Sequence, residues 1–175
     1  MRLRFTELLI SVALTLALLL ALEVVGTTFL PLFGLVKYRL PFNVLLALFL
    51  AFRVNSPFVA IMIMILQYLH SFFSIEGWGM GTLIGVIVAI LISYLRELIH
   101  FTTHLSTILV TQAFQVVLFL IFAFFMYVKM DNWSYLFDRT FSFVFESFAV
   151  SLMAPFFFAF LDRVWHVDKR TIVED

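Results

Sequence analysis

The chain has 175 residues, 64% hydrophobic and 13% charged, with eleven basic and eleven acidic side chains and a mean hydropathy of +1.12. A water-soluble domain carries about 45–50% apolar and about 25% charged residues, so this composition describes an integral membrane protein and excludes an ordinary soluble domain. Zero net charge leaves no bulk basic field for nucleic acid, and the absence of cysteine removes disulfides, thiolate chemistry and cysteine metal sites.

The length suits one domain over 1–175, an all-α polytopic bundle of membrane helices at about 20 residues per span. The first helix runs from Phe5 to about Phe33, closed by Gly26-Thr27-Thr28 and Pro31. It is too long for a signal-peptide core and is read as a retained span. Within it Ala13, Ala17 and Ala21 recur four apart among bulky Leu and Val, stacking on one face as a shallow groove. Such stripes let another helix backbone approach closely, either a partner's or one of the protein's own.

Pro41 opens a second, short run, Phe42 to Phe52, terminated by Arg53-Val54-Asn55-Ser56-Pro57. Eleven residues rise only about 16 Å as helix, against a hydrocarbon core of about 30 Å. The run is either a short helix shielded inside the bundle or half of a re-entrant hairpin, because lipid does not tolerate its unpaired ends. Phe58 to Phe73 follows, ending at Ser74-Ile75-Glu76-Gly77, and then Trp78 to Leu95 with a second small-residue stripe, Gly81, Gly85 and Ala89. The fifth helix is Leu105 to Val128 and the sixth runs from about Phe141 to Trp165, before a charged tail. Trp78, Trp133 and Trp165 fall near predicted ends, where interfacial indoles belong.

Six spans with a cytoplasmic amino terminus put Arg2, Arg4, Arg53, Arg96, Arg163, Lys169 and Arg170 inside, against Lys37, Arg39, Lys129 and Arg139 outside. This agrees with the positive-inside rule. If the second run does not cross, five spans with an external amino terminus keep the same balance. Both arrangements leave the carboxyl tail in the cytoplasm.

Polar residues at membrane depth are costly unless paired, and they mark where function can lie. Glu23, Gln67, His70, Gln112, Gln115 and Glu146 are the candidates for buried polar positions. Glu23, His70 and Glu146 share the outer half in the six-span arrangement and could relay protons or hold an ion, although interhelical hydrogen bonds are the plainer reading. His100 and His104 share a helical face but have no third ligand nearby, so no metal site is expected. No phosphate-cradling glycine loop, His-Glu-x-x-His, Gly-x-Ser-x-Gly or pair of intramembrane aspartates occurs, and the loops are short. The expectation is a protein that binds, with no catalytic residues and no cofactor.

Three segments carry a family resemblance. Leu40-Pro41-Phe42-Asn43 followed by Val44-Leu45-Leu46-Ala47-Leu48-Phe49, Arg53 and Pro57 resembles the second-helix region of the MreD proteins. Gly79-Met80-Gly81-Thr82-Leu83 is similar to their third-to-fourth helix junction. Met153-Ala154-Pro155-Phe156 through Phe160-Leu161-Asp162-Arg163-Val164 resembles their closing helix. This chain carries Gln67 and His70 where the family often has glycine and an acidic residue. The resemblance implies a multi-pass scaffold of the bacterial inner membrane, in the rod-shape (elongasome) machinery that directs lateral peptidoglycan synthesis. It implies the membrane helix of MreC as direct partner, and MreB, RodA and its transpeptidase as indirect ones. Either alanine–glycine stripe is then a docking face for that helix. A second resemblance concerns architecture and the first helix: substrate-binding subunits of energy-coupling-factor vitamin transporters are also small six-helix proteins with an Ala-x-x-x-Ala stripe, which Ala13 and Ala17 fit. A proton- or ion-coupled carrier is the third reading, without the internal repeat carriers usually show.

Overall fold

A computed structural model describes residues 5–35, 38–54, 58–73, 78–95, 103–130 and 133–165. Among them the chain is all-α, with six helices: α1 Phe5–Val24, α2 Phe42–Arg53, α3 Val59–Ser71, α4 Trp78–Leu95, α5 His104–Met130 and α6 Trp133–Val164. Helix α1 continues through a π-helical turn, Val25–Phe29, into a last α-helical turn at Leu30–Leu32. The segment ends in a Schellman arrangement, with Gly34 at φ +77°, Leu35 N–H donating to the Leu30 carbonyl and Gly34 N–H to that of Pro31. Helix α5 starts with a reciprocal cap, in which Thr103 and Ser106 each donate a backbone N–H to the other's hydroxyl, at 3.0 and 3.1 Å.

The short helix α2 is the centre of the molecule. Every residue from Phe42 to Ala51 is buried, and α2 touches each of the other five helices. A helix apolar all round has no face to offer water and belongs inside. Its neighbours cover it from Phe42 to Ala51, which agrees with a short helix shielded inside the bundle. Phe49 packs edge-on against Phe158 of α6, with ring centroids 5.6 Å apart, and Phe52 meets Phe114 of α5 in the same way.

The other helices wrap α2 as pairs, α3 with α4 and α5 with α6, while α1 closes the ring against α2 and α3. Between α5 and α6, Gln112 donates to Ser147 Oγ, and Gln115 donates to the Ser147 carbonyl and Ser151 Oγ. Interhelical bonds of this kind hold helices together where burial of apolar surface from lipid gives little.

The outside is strongly apolar. Phe137 and Phe156 are about 80% exposed, and Phe29, Phe33, Leu120, Phe124 and Phe148 also point outward. Water does not support so continuous an apolar coat, whereas lipid does. Three segments, Leu9–Leu32, His104–Val128 and Leu136–Val164, are long and apolar enough to cross a membrane, while Phe42–Arg53, Val59–Ser71 and Thr82–Ile92 are shorter apolar helices.

Two expectations need correction. Helix α6 begins at Trp133, eight residues before the predicted Phe141, because the polar residues Asp138, Arg139, Thr140 and Ser142 are absorbed within it. Thr140 and Ser142 donate their hydroxyls to carbonyls one turn back, and Arg139 reaches Glu146 two turns on. Trp165 is not an interfacial anchor. It is only 2% exposed, and its indole N–H donates to Thr15 Oγ1 on α1 at 3.0 Å. The side-chain surroundings of Trp78 and Trp133 lie outside the described residues.

Candidate functional site

The site grows from the irregular end of α1. The Thr27 hydroxyl donates to the Glu23 carbonyl at 2.7 Å, competing with the backbone bond that an α-helix makes there. Four residues on, Pro31 has no N–H for the Thr27 carbonyl and its ring crowds that turn. The wider π turn at Val25–Phe29 accommodates both, and single π turns recur where helices line functional sites. It leaves Gly26 facing open space and aims Glu23 inward.

Glu23 Oε1 and His70 Nδ1 of α3 share a hydrogen bond at 2.5 Å. One turn earlier on α3, Gln67 Oε1 accepts from Asn43 Nδ2 at the start of α2, at 3.0 Å. On its other side Gln67 lies hard against α4: a Cβ built on Gly85 would stand 2.4 Å from Gln67 Cβ. From the opposite side Glu146 of α6 accepts two bonds at Oε1, from Arg139 Nη1 at 2.7 Å and from the Arg39 backbone N–H at 2.8 Å. The Arg39 guanidinium in turn donates to the Phe73 carbonyl at 2.9 Å, tying the segment before α2 to the end of α3.

These groups border one cavity of about 160 Å³. Its polar lining residues include the Glu23–His70, Asn43–Gln67 and Glu146–Arg139 pairs and Gln115. Ile84, Val88, Leu118, Phe119, Phe122 and Phe143 are among its apolar lining residues. Phe119 and Phe143 stack with centroids 4.2 Å apart and planes 12° from parallel. Among the described residues, four buried polar atoms of lining side chains have no hydrogen-bond partner: Asn43 Oδ1, Gln67 Nε2, Gln115 Oε1 and Glu146 Oε2. Two carboxylates and two guanidiniums make the border formally neutral before any charge on His70.

No known protein family, curated protein or solved structure matches this chain. The geometry must therefore speak for itself.

Of the residues singled out from the sequence, Glu23, Gln67, Gln115 and Glu146 are buried, and His70 and Gln112 are half-buried. Glu23, Gln67, His70, Gln115 and Glu146 border the one cavity; Gln112 instead bonds Ser147 and Ser151 between α5 and α6. Glu23 and His70 meet as a pair, but Glu146 takes arginine partners, so the three do not form a continuous Glu–His–Glu chain of bonds. The two small-residue stripes part company. Gly85 and Ala89 are buried, with Gly85 packed against Gln67, so this stripe joins α3 to α4 and is not open to a partner helix. The surroundings of Gly81 lie outside the described residues. Ala13, Ala17 and Ala21 are all exposed on the surface of α1. Among the described residues no group of three or more His, Asp or Glu is placed to hold a metal ion.

Arg39, Asn43 and Arg139 are site residues that sequence reasoning passed over. Arg39 and Arg139 read as loop charges, yet the seven-residue interval from Arg139 to Glu146 puts both on one helical face. Asn43, a lone amide at the head of a wholly apolar helix, carried the clearer signal.

Proposed function

We propose that this chain is an integral-membrane docking protein of the bacterial inner membrane, of the MreD kind, which holds a partner's membrane helix along α1. The observation that carries the reading is the division of α1 into two opposed faces. Ser11, Thr15, Leu19 and Glu23, four apart, are buried against the bundle. Ala13, Ala17 and Ala21 are offset from them by two residues, about 200° around the helix, and are exposed. A stripe of methyl groups on an otherwise bulky exterior gains little from lipid but allows close backbone approach by another helix.

The resemblance in the α2 and α6 segments supplies the partner: the single membrane helix of MreC, with MreB, RodA and its transpeptidase reached through it. With the amino terminus in the cytoplasm and six crossings, the basic residues favour the inside and the cavity opens toward the outer face. Replacing Ala17 with Leu thickens the groove, and overpacking of this size costs about 1–3 kcal/mol in a close contact. We expect Ala17→Leu to lose co-purification with MreC while keeping the parent's thermal stability. Normal recovery of MreC with a folded Ala17→Leu protein would reject the docking face.

A further inference from the structure

We infer that Tyr38–Pro41, the segment leading into α2, is a strap held closed by Arg39, whose release admits water-borne solutes to the cavity. The inference stands whether or not α1 docks a helix. Placement comes first. Arg39, Leu40 and Pro41 all line the cavity, yet Arg39 is exposed and Leu40 and Pro41 are half-buried. A stretch of chain with the cavity on one side and the exterior on the other is the cover at that point.

Arg39 fastens this cover on two sides. Its backbone N–H donates to Glu146 Oε1 on α6 at 2.8 Å, and its guanidinium donates to the Phe73 carbonyl, just beyond α3, at 2.9 Å. Phe73 and Glu146 themselves line the cavity, so one residue spans from one bordering element to another.

The two fastenings differ in strength. Glu146 is 2% exposed and its Oε1 is also held by Arg139, so the inner bond is shielded from water. The bond to Phe73 is exposed, and water competes there for both partners. The outer fastening therefore breaks first. At the other end of the strap, Leu40 packs against the core and the Pro41 carbonyl accepts from Val44 N–H of α2 at 3.1 Å. The strap thus has an anchored end at α2 and a releasable end at Arg39. Behind it the Glu23–His70 and Arg139–Glu146 pairs border the cavity, and interactions between charges weaken as water enters.

The chain has no cysteine, so a single introduced thiol reports access without background. Ile84→Cys on α4 puts that thiol at a lining position; Ile63→Cys, at a core position 1% exposed and away from the lining, is the comparison. Each is combined with Arg39→Leu and with Arg39→Lys in the full chain in lipid nanodiscs. The rate of modification by 2-aminoethyl methanethiosulfonate is read by mass spectrometry. Arg39→Leu should speed the reaction at position 84 by about fivefold and leave position 63 unchanged. Arg39→Lys keeps a cationic donor toward the Phe73 carbonyl and should stay within about twofold of the parent rate. The inference fails if Arg39→Leu leaves position 84 unchanged, or if positions 63 and 84 speed up together, which would mean general loosening. It also fails if the parent's thiol at 84 already reacts as fast as free cysteine, or if Arg39→Lys matches Arg39→Leu.

Discussion

The stripes on α1 and α4 share one spacing and meet opposite surroundings. On α4, Gly85 lies against the side chain of Gln67 with no room for a methyl group, whereas on α1 the three alanines face outward. Small residues four apart therefore report that something comes close, and only the fold says what. The buried stripe also touches the site, since the Gln67 against which Gly85 packs bonds Asn43 at the cavity. The outward stripe leaves its own bundle unaffected.

Substitutions can sharpen this contrast. The largest effect is expected for Gly85→Leu, which forces α3 and α4 apart and should lower stability by about 3 kcal/mol or more, read from denaturant unfolding in detergent. Arg139→Leu strips the guanidinium from Glu146 and should cost about 2–5 kcal/mol. Adding Glu146→Leu should recover much of that loss, because no buried carboxylate then remains unpaired. Thr15→Val acts on the inward face of α1: it leaves the Trp165 indole N–H without its acceptor and should cost about 1–3 kcal/mol. Ala17→Leu, on the outward face of the same helix, should change the stability of the isolated protein by under about 0.5 kcal/mol. Equal losses for Thr15→Val and Ala17→Leu would mean that both faces of α1 are structural.

Much of the fold was legible from runs of apolar residues and their punctuation. The first five helices begin and end within about two residues of the turn, proline and charge signals, and α2 announced itself as too short to cross lipid alone. What failed was the meaning of polar residues near helix ends. Arg139 and Trp165 resembled loop charge and interfacial anchor, but each has a partner on a remote or later turn, Glu146 and Thr15. Sequence position gives depth along a helix; it does not give the partner across the bundle. For the same reason Glu23, Gln67, His70 and Glu146 could be named as costly residues, while the cavity they border depends on Asn43, Arg39 and the π turn after Val24.

Photo-crosslinking in living cells tests the docking face most directly. A photoreactive residue at Ala17 is compared with one at Leu120, an exposed position on α5. A crosslink to the membrane helix of MreC from position 17 and none from position 120 is the predicted result. No MreC adduct from 17, or equal adducts from both positions, would contradict it.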